Sequence, residues 1–208
     1  MRIAVIGAGN VGGGFSRAAV AAGHDVVISA AHPEKAQAVA AQVGAQAAES
    51  NAAAAQGAQV VVLAVPAAEA PAVAAEVAAS GAVVVDATNP LNATFDGLAI
   101  EGISGAEAVQ KAAGSTPVVK AFNTVFASRY AGTTEQGAPL TLLIAGDDEA
   151  AKGTVAELGT SLGFAPVDAG SLRFARTLEE LAFLNITLNA GKGWVWQNHF
   201  QIVGPTTA

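Results

Sequence analysis

The 208-residue chain has no cysteine, which excludes a small secreted scaffold held together by disulfides. It is poor in positive charge: 10 Lys and Arg stand against 17 Asp and Glu, for a formal net charge of -7 at pH 7. The basic residues are scattered and form no run, so nucleic acid is not an expected partner. A bilayer span needs about 20 consecutive apolar residues. Every apolar run here is broken sooner by Pro, Gly, Asn or a charge, as Pro66 and Glu69 break the run from Val60, and no membrane association is expected. Gly7, Gly9, Gly12, Gly13 and Gly14 interrupt an apolar start that would otherwise imitate a signal peptide, so the expected location is the cytoplasm. What is abundant is aliphatic. Hydrophobic residues make up 52% of the chain and its mean hydropathy is +0.43, the composition of a soluble packed domain rather than a disordered one.

Ile3 to Ile6 is a short apolar run stopped by glycines, and Asn10 to Ala22 lacks proline and ends at Gly23; this reads as strand, turn and helix. The pattern repeats through a strand at Val26 to Ser29, a helix opening at Pro33, a strand at Val60 to Val65, a helix from about Ala67 to Ala79, and a strand at Val83 to Asp86. Strands that are apolar throughout, rather than alternating, suit a parallel sheet covered on both faces. A doubly wound α/β domain is the expected fold. Asn89 to Gly114 reads as a long irregular connection, and Pro117 to Phe122 as a further strand. Strands at Leu140 to Ala145 and Ala165 to Asp168, with helices at about Asp148 to Leu162 and Ser171 to Ala190, form a smaller α/β unit over residues 127–208, with a soft boundary near Phe126.

Gly7-Ala8-Gly9-Asn10-Val11-Gly12 is a G-x-G-x-x-G placed directly after a strand and at the opening of a helix, the context that turns a weak pattern into a dinucleotide signature. In that reading Gly7 permits the tight turn, Gly9 lets a pyrophosphate approach the backbone, and Gly12 lets helix and strand pack closely. An NAD site usually has Asp or Glu at the end of the second strand; this chain has Ile28-Ser29-Ala30-Ala31 there. NADP is therefore expected over NAD, with Ser29, Ala30, His32 and Lys35 beside the 2′-phosphate. Ala64, Val65 and Pro66 end the next strand where the cofactor would pass. Asn89 with Pro90, and Ala121 with Asn123, end the following two, where the asparagines are candidates to orient the nicotinamide; as turn formers they would equally need no ligand.

With these residues in hand, the chain resembles the coenzyme F420-dependent NADP oxidoreductase family, whose fold is similar to the reductase domain of the six-transmembrane ferric reductases. The resemblance rests on Ile3 to Gly12, Val61 to Pro66, Val84 to Leu91, Val119 to Thr124, Ile144 to Glu149 and Val167 to Arg176. It implies an N-terminal Rossmann domain over residues 1–126 that binds NADP, and a C-terminal unit that completes a pocket for a deazaflavin such as F420, or for a flavin. Members using NADP often carry arginine after the serine that ends the second strand, where this chain has Ala30.

Hydride transfer between two flat rings needs alignment in a dry pocket and no side-chain nucleophile. That suits what is missing: Tyr130 is followed by Thr134 rather than the lysine of a Tyr-x-x-x-Lys site, and Lys120 and Asn123 are three apart rather than four. An NADPH-dependent imine or carbonyl reductase, with Lys120, Tyr130 or His199 supplying a proton, stands as the alternative enzyme, and a nucleotide-binding regulatory protein as the alternative without catalysis. Leu178, Leu181, Ala182, Asn185, Leu188 and Asn189 share one helical face, read as a packing stripe or homodimer interface. Trp194 and Trp196 are expected to anchor the tail, or one of them to stack on a ring. No metal site is expected.

Overall fold

The computed structural model describes residues 1–204; the last four residues of the expected C-terminal unit lie outside the described residues. In chain order the elements are β1 (Arg2–Ile6), α1 (Asn10–Ala21), β2 (Asp25–Ser29), α2 (Pro33–Val43), β3 (Gln46–Ala47), α3 (Asn51–Ala55), β4 (Val60–Leu63), α4 (Ala70–Val77), β5 (Val83–Asp86), α5 (Gly105–Ala113), β6 (Val118–Lys120), β7 (Thr134–Glu135), β8 (Ala138–Pro139), β9 (Thr141–Gly146), α6 (Glu149–Ser161), β10 (Ala165–Gly170) and α7 (Ala175–Lys192). Eight strands form one sheet in the order β10-β9-β6-β5-β4-β1-β2-β3. Within this sheet every strand pairing is parallel except that of β6 with β9.

Val60, Val61, Val62 and Leu63 of β4 are all fully buried, because helices cover both faces of the sheet and each face needs an apolar side chain. Residues on one face (Ile3, Val5, Val60, Val62) belong to one core cluster, and their neighbours (Ala4, Ile6, Val61, Leu63) to another. Each fully buried Val, Leu or Ile contributes on the order of 1.5–3 kcal/mol.

After residue 126, β7 and β8 pair only with each other in a two-stranded antiparallel sheet, while the two longer strands join the main sheet. β9 adds to the β6 edge and β10 pairs with β9, while Leu142, Ile144 and Val155 share a cluster with Ile3, Val5 and Phe15. The expected boundary near Phe126 thus marks a reversal of strand direction, with the core continuous across it. A second difference lies at Asn89 to Gly114, which was expected to be irregular. Its last part is α5, opened by a capping box in which Ser104 accepts from the Glu107 amide while the Glu107 carboxylate accepts from the Ser104 amide. Ser-x-x-Glu is a start signal readable in the sequence.

Candidate active site

The turn between β1 and α1 is built as its glycines require. Gly7 has a φ of 120°, and a Cβ there would lie 2.2 Å from the Ala64 carbonyl oxygen; one at Gly12 would lie 1.9 Å from the Gly7 oxygen. Ala64 therefore serves as the wall against which the turn closes, its amide donating to the Ile6 carbonyl at 2.8 Å. A Cβ at Gly9, by contrast, would meet open space. Gly9 is also the N-cap of α1, and no side chain caps that end. The first-turn amides and the positive end of the helix dipole are left for an anion, and the missing Cβ leaves room for one.

A cavity of about 850 Å³ opens beside this turn. Gly9, Asn10 and Val11 line one side, Asn89, Asn123 and Thr124 the strand ends, and Ala182, Asn185, Ile186 and Trp196 the α7 and tail side. Asn89 and Asn123 reach it from β5 and β6. Phe122, just before Asn123, has a left-handed φ of 65°, an uncommon conformation for a bulky residue, and the strain turns the chain at the end of β6. Phe122 is held there by edge contacts to Phe15 at 5.2 Å and Phe164 at 6.1 Å.

Beneath the asparagines is a buried charge cluster. Lys120 Nζ lies 2.9 Å from Asp86 Oδ2 and 2.9 Å from Glu179 Oε1, and donates to the Thr88 carbonyl at 2.7 Å. All three charged side chains are wholly buried. The second carboxylate is offset by α5: Glu179 accepts from the Gly105 and Ala106 amides at 3.0 and 3.2 Å, at the positive end of that helix. The cluster ties β5, β6, α5 and α7 together under the cavity.

Several expected site residues are placed elsewhere. Ser29 is buried and donates to Asn51 Oδ1 at 2.8 Å, and Asn51 donates to Glu76 Oε2 at 2.7 Å, so its hydroxyl proton is spent within the protein. Ala30 is half-buried at the strand end, while His32 and Lys35 are exposed and outside the cavity wall. Val65 and Pro66 also lie outside that wall. Pro90 and Ala121 are buried, Ala121 within the main core cluster. Residues missed by sequence reasoning include Arg17 on α1, and Asn185, whose polarity within an apolar stripe was the available signal.

The three candidate proton donors are not in the cavity wall. Lys120 is locked in its cluster. Tyr130 is buried with its hydroxyl unpaired among the described residues, and burial pushes its phenol well above the ordinary value. His199 Nε2 meets Gln201 Oε1 at 2.6 Å. Trp196 does line the cavity, edge-on to Phe126 at 5.3 Å, and Ser128 donates to its carbonyl; Trp194 is half-exposed.

Residues 2–90 match the family described as NADP oxidoreductase, coenzyme F420-dependent. A proposed F420-dependent NADP reductase of Arthrobacter sp. FB24 is 30% identical, with 98% of this chain and 100% of that one covered at a TM-score of 0.83. The chain belongs to the coenzyme F420-dependent NADP oxidoreductase family. A hypothetical protein of Sinorhizobium meliloti is 34% identical over 84% of this chain and 88% of its own, at a TM-score of 0.75. The rat metalloreductase STEAP3 is 35% identical over 102 residues, which are 49% of this chain and only 20% of that protein. An imine reductase of Pseudomonas sp., at 20% identity and a TM-score of 0.68 over 93% of this chain and 63% of its own, shares the fold. This chain is accordingly an oxidoreductase of an NADP-binding family. Among the described residues, no helix is long and apolar enough to cross a membrane.

Proposed function

We propose that the chain moves hydride directly between NADP(H), preferred over NAD, and a flat heterocycle of the deazaflavin (F420) or flavin class. One observation carries this reading: among the described residues, the cavity wall has no Asp, Glu, His, Lys, Tyr or Cys, and Arg17 is its single charged side chain. A wall without a titrating acid or base suits a reaction that moves hydride from ring to ring, and does not suit one that must protonate a carbonyl or imine at a fixed point.

The residues fit a dinucleotide. The free amides of α1 and the open space at Gly9 suit a pyrophosphate, while Lys35 and His32 near the end of β2 suit a 2′-phosphate with no opposing acid at Ala30. Asn123 Oδ1 is buried and unpaired among the described residues, its orientation fixed by Nδ2, which donates to Asn89 Oδ1 and the Leu178 carbonyl, both at 3.0 Å. That leaves an acceptor for a carboxamide N–H. NADPH, when bound, supplies the hydride; the protein's part is to hold the rings at reacting distance and exclude water. The test is NADPH oxidation with F420, FMN and a simple cyclic imine. Turnover with the imine alone would replace this reading with the imine reductase, and turnover with none would remove it.

A further inference from the structure

On the α7 side of the cavity, Asn185 is 1% exposed, yet its Nδ2 has no partner among the described residues. Its orientation is not free. Asn189 is fixed by the backbone at both ends of its amide, Nδ2 donating to the Asn185 carbonyl at 2.8 Å and Oδ1 accepting from the Trp196 amide at 3.1 Å. Asn189 Nδ2 therefore also donates to Asn198 Oδ1 at 2.7 Å, which turns Asn198 Nδ2 onto Asn185 Oδ1 at 2.6 Å. Rotating the Asn185 amide would set its donor against Asn198 and Asn189 donors. Two other asparagines thus hold Asn185 with its oxygen satisfied and its N–H group unspent. A buried donor left unmet is a net cost to the folded protein, one that a ligand acceptor would remove.

The second unpaired atom of this wall, Asn123 Oδ1, belongs to the strand-end side of the cavity. Asn123 is anchored at Leu178, and Asn185 lies seven residues, or about 10 Å, further along the α7 axis. One carboxamide is too small to serve both ends of that interval, whereas two stacked rings supply a donor to one and an acceptor to the other. Trp196 and Ile186 give the same cavity wall apolar surface, as a flat ring requires.

We infer that Asn185 is the specificity residue for the hydride acceptor, its Nδ2 donating to a ring carbonyl of a pyrimidinedione-bearing heterocycle. The inference deepens the proposed function and rests on its assignment of this cavity to two rings. Deazaflavins and flavins both carry pyrimidinedione carbonyls, either of which can accept from Asn185 Nδ2; rings without a carbonyl cannot.

Asn185→Asp is the informative variant, because it keeps the oxygen that Asn189 and Asn198 use and replaces the free donor with an acceptor. Binding of FMN and of F420 to the full chain saturated with NADP⁺ is followed by fluorescence quenching. Both dissociation constants are expected to rise at least tenfold in the variant, with that of NADP⁺ within twofold of the parent. The parent itself provides the second measurement: of 2-thio-FMN and 4-thio-FMN, whose thiocarbonyls are poor acceptors, one is expected to bind several-fold more weakly than FMN. Equal ring affinities in parent and variant, an equal loss for NADP⁺, parental affinity for both thio analogues, or no ring binding by the parent would each overturn the inference. Selective loss of ring binding in Asn185→Asp, from a parent that binds the rings but shows no turnover, would sustain it and remove the hydride-transfer reading instead.

Discussion

Asn89 and Asn123 hold each other by a reciprocal pair of hydrogen bonds, Asn89 Nδ2 donating to the Asn123 carbonyl at 2.9 Å and Asn123 Nδ2 donating to Asn89 Oδ1 at 3.0 Å. The ends of β5 and β6 are thereby locked to each other at the cavity wall. Replacing either asparagine by leucine is expected to lower single-turnover hydride transfer from 4-deuterated NADPH by about 10²-fold, the penalty of roughly 1 Å of misplacement, with the fold retained by circular dichroism. Near-parental rates in both variants would show that the pair serves packing alone.

Gly9→Val tests the phosphate site. Its side chain enters open space, so the sheet and α1 are expected to survive while the dinucleotide's path is blocked. Calorimetric titration with NADPH should show no binding by a variant whose circular dichroism matches the parent.

Cofactor preference is expected to respond at Ala30. An arginine there would add a charge-assisted contact to a 2′-phosphate, strengthening NADPH binding about tenfold and leaving NADH unchanged. Ser29→Asp, which from the strand-end pattern alone would be chosen to favour NADH, instead sets a buried carboxylate against Asn51 Oδ1, and thermal melting should show a destabilised protein. Equal affinity of the parent for NADPH and NADH would remove the 2′-phosphate argument.

Lys120→Met leaves Asp86 and Glu179 buried without their cation. Breaking a buried pair in this way costs about 3–5 kcal/mol, and at this chain length each kcal/mol moves the midpoint by about 2–4 °C; scanning calorimetry should show a loss of roughly 10 °C. Below the new midpoint the variant is expected to keep appreciable turnover, since Lys120 does not line the cavity. A loss of several thousandfold in a folded variant would restore it as a proton donor.

Tyr130→Phe is expected to raise stability by about 1 kcal/mol, because it removes a buried hydroxyl that has no partner. The sign with pH is also set. Burial raises the folded phenol above its ordinary value of 10.0, so the unfolded chain releases this proton first. Stability from this source is full below pH 10 and falls as pH rises beyond it. Urea melts at pH 9 and 11 should show a smaller alkaline loss in the phenylalanine variant.

The glycine turn, the buried valine strands and the missing acid at Ala30 were legible in the sequence, since each is a local pattern with a local cause. The capping box of α5 was equally local and was hidden by the many Asn, Pro and Gly residues before it. Ser29 was misplaced because a strand-end position does not say which face its hydroxyl meets, and the partner that claims it, Asn51, comes from the next crossover.

By itself, the amino-acid sequence determined the α/β class, the glycine turn after the first strand and the family, because hydrophobic period, glycine conformation and helix ends act over a few residues. Tertiary structure alone decided that β9 extends the first sheet in reverse, that Glu179 caps a helix 74 positions away at Gly105, and that Asn123 and Asn185 each keep one atom unspent. Those outcomes depend on which polar groups meet after the chain collapses. A side chain's type sets how many hydrogen bonds it can make, and only its neighbours in the folded protein decide which remain for a ligand.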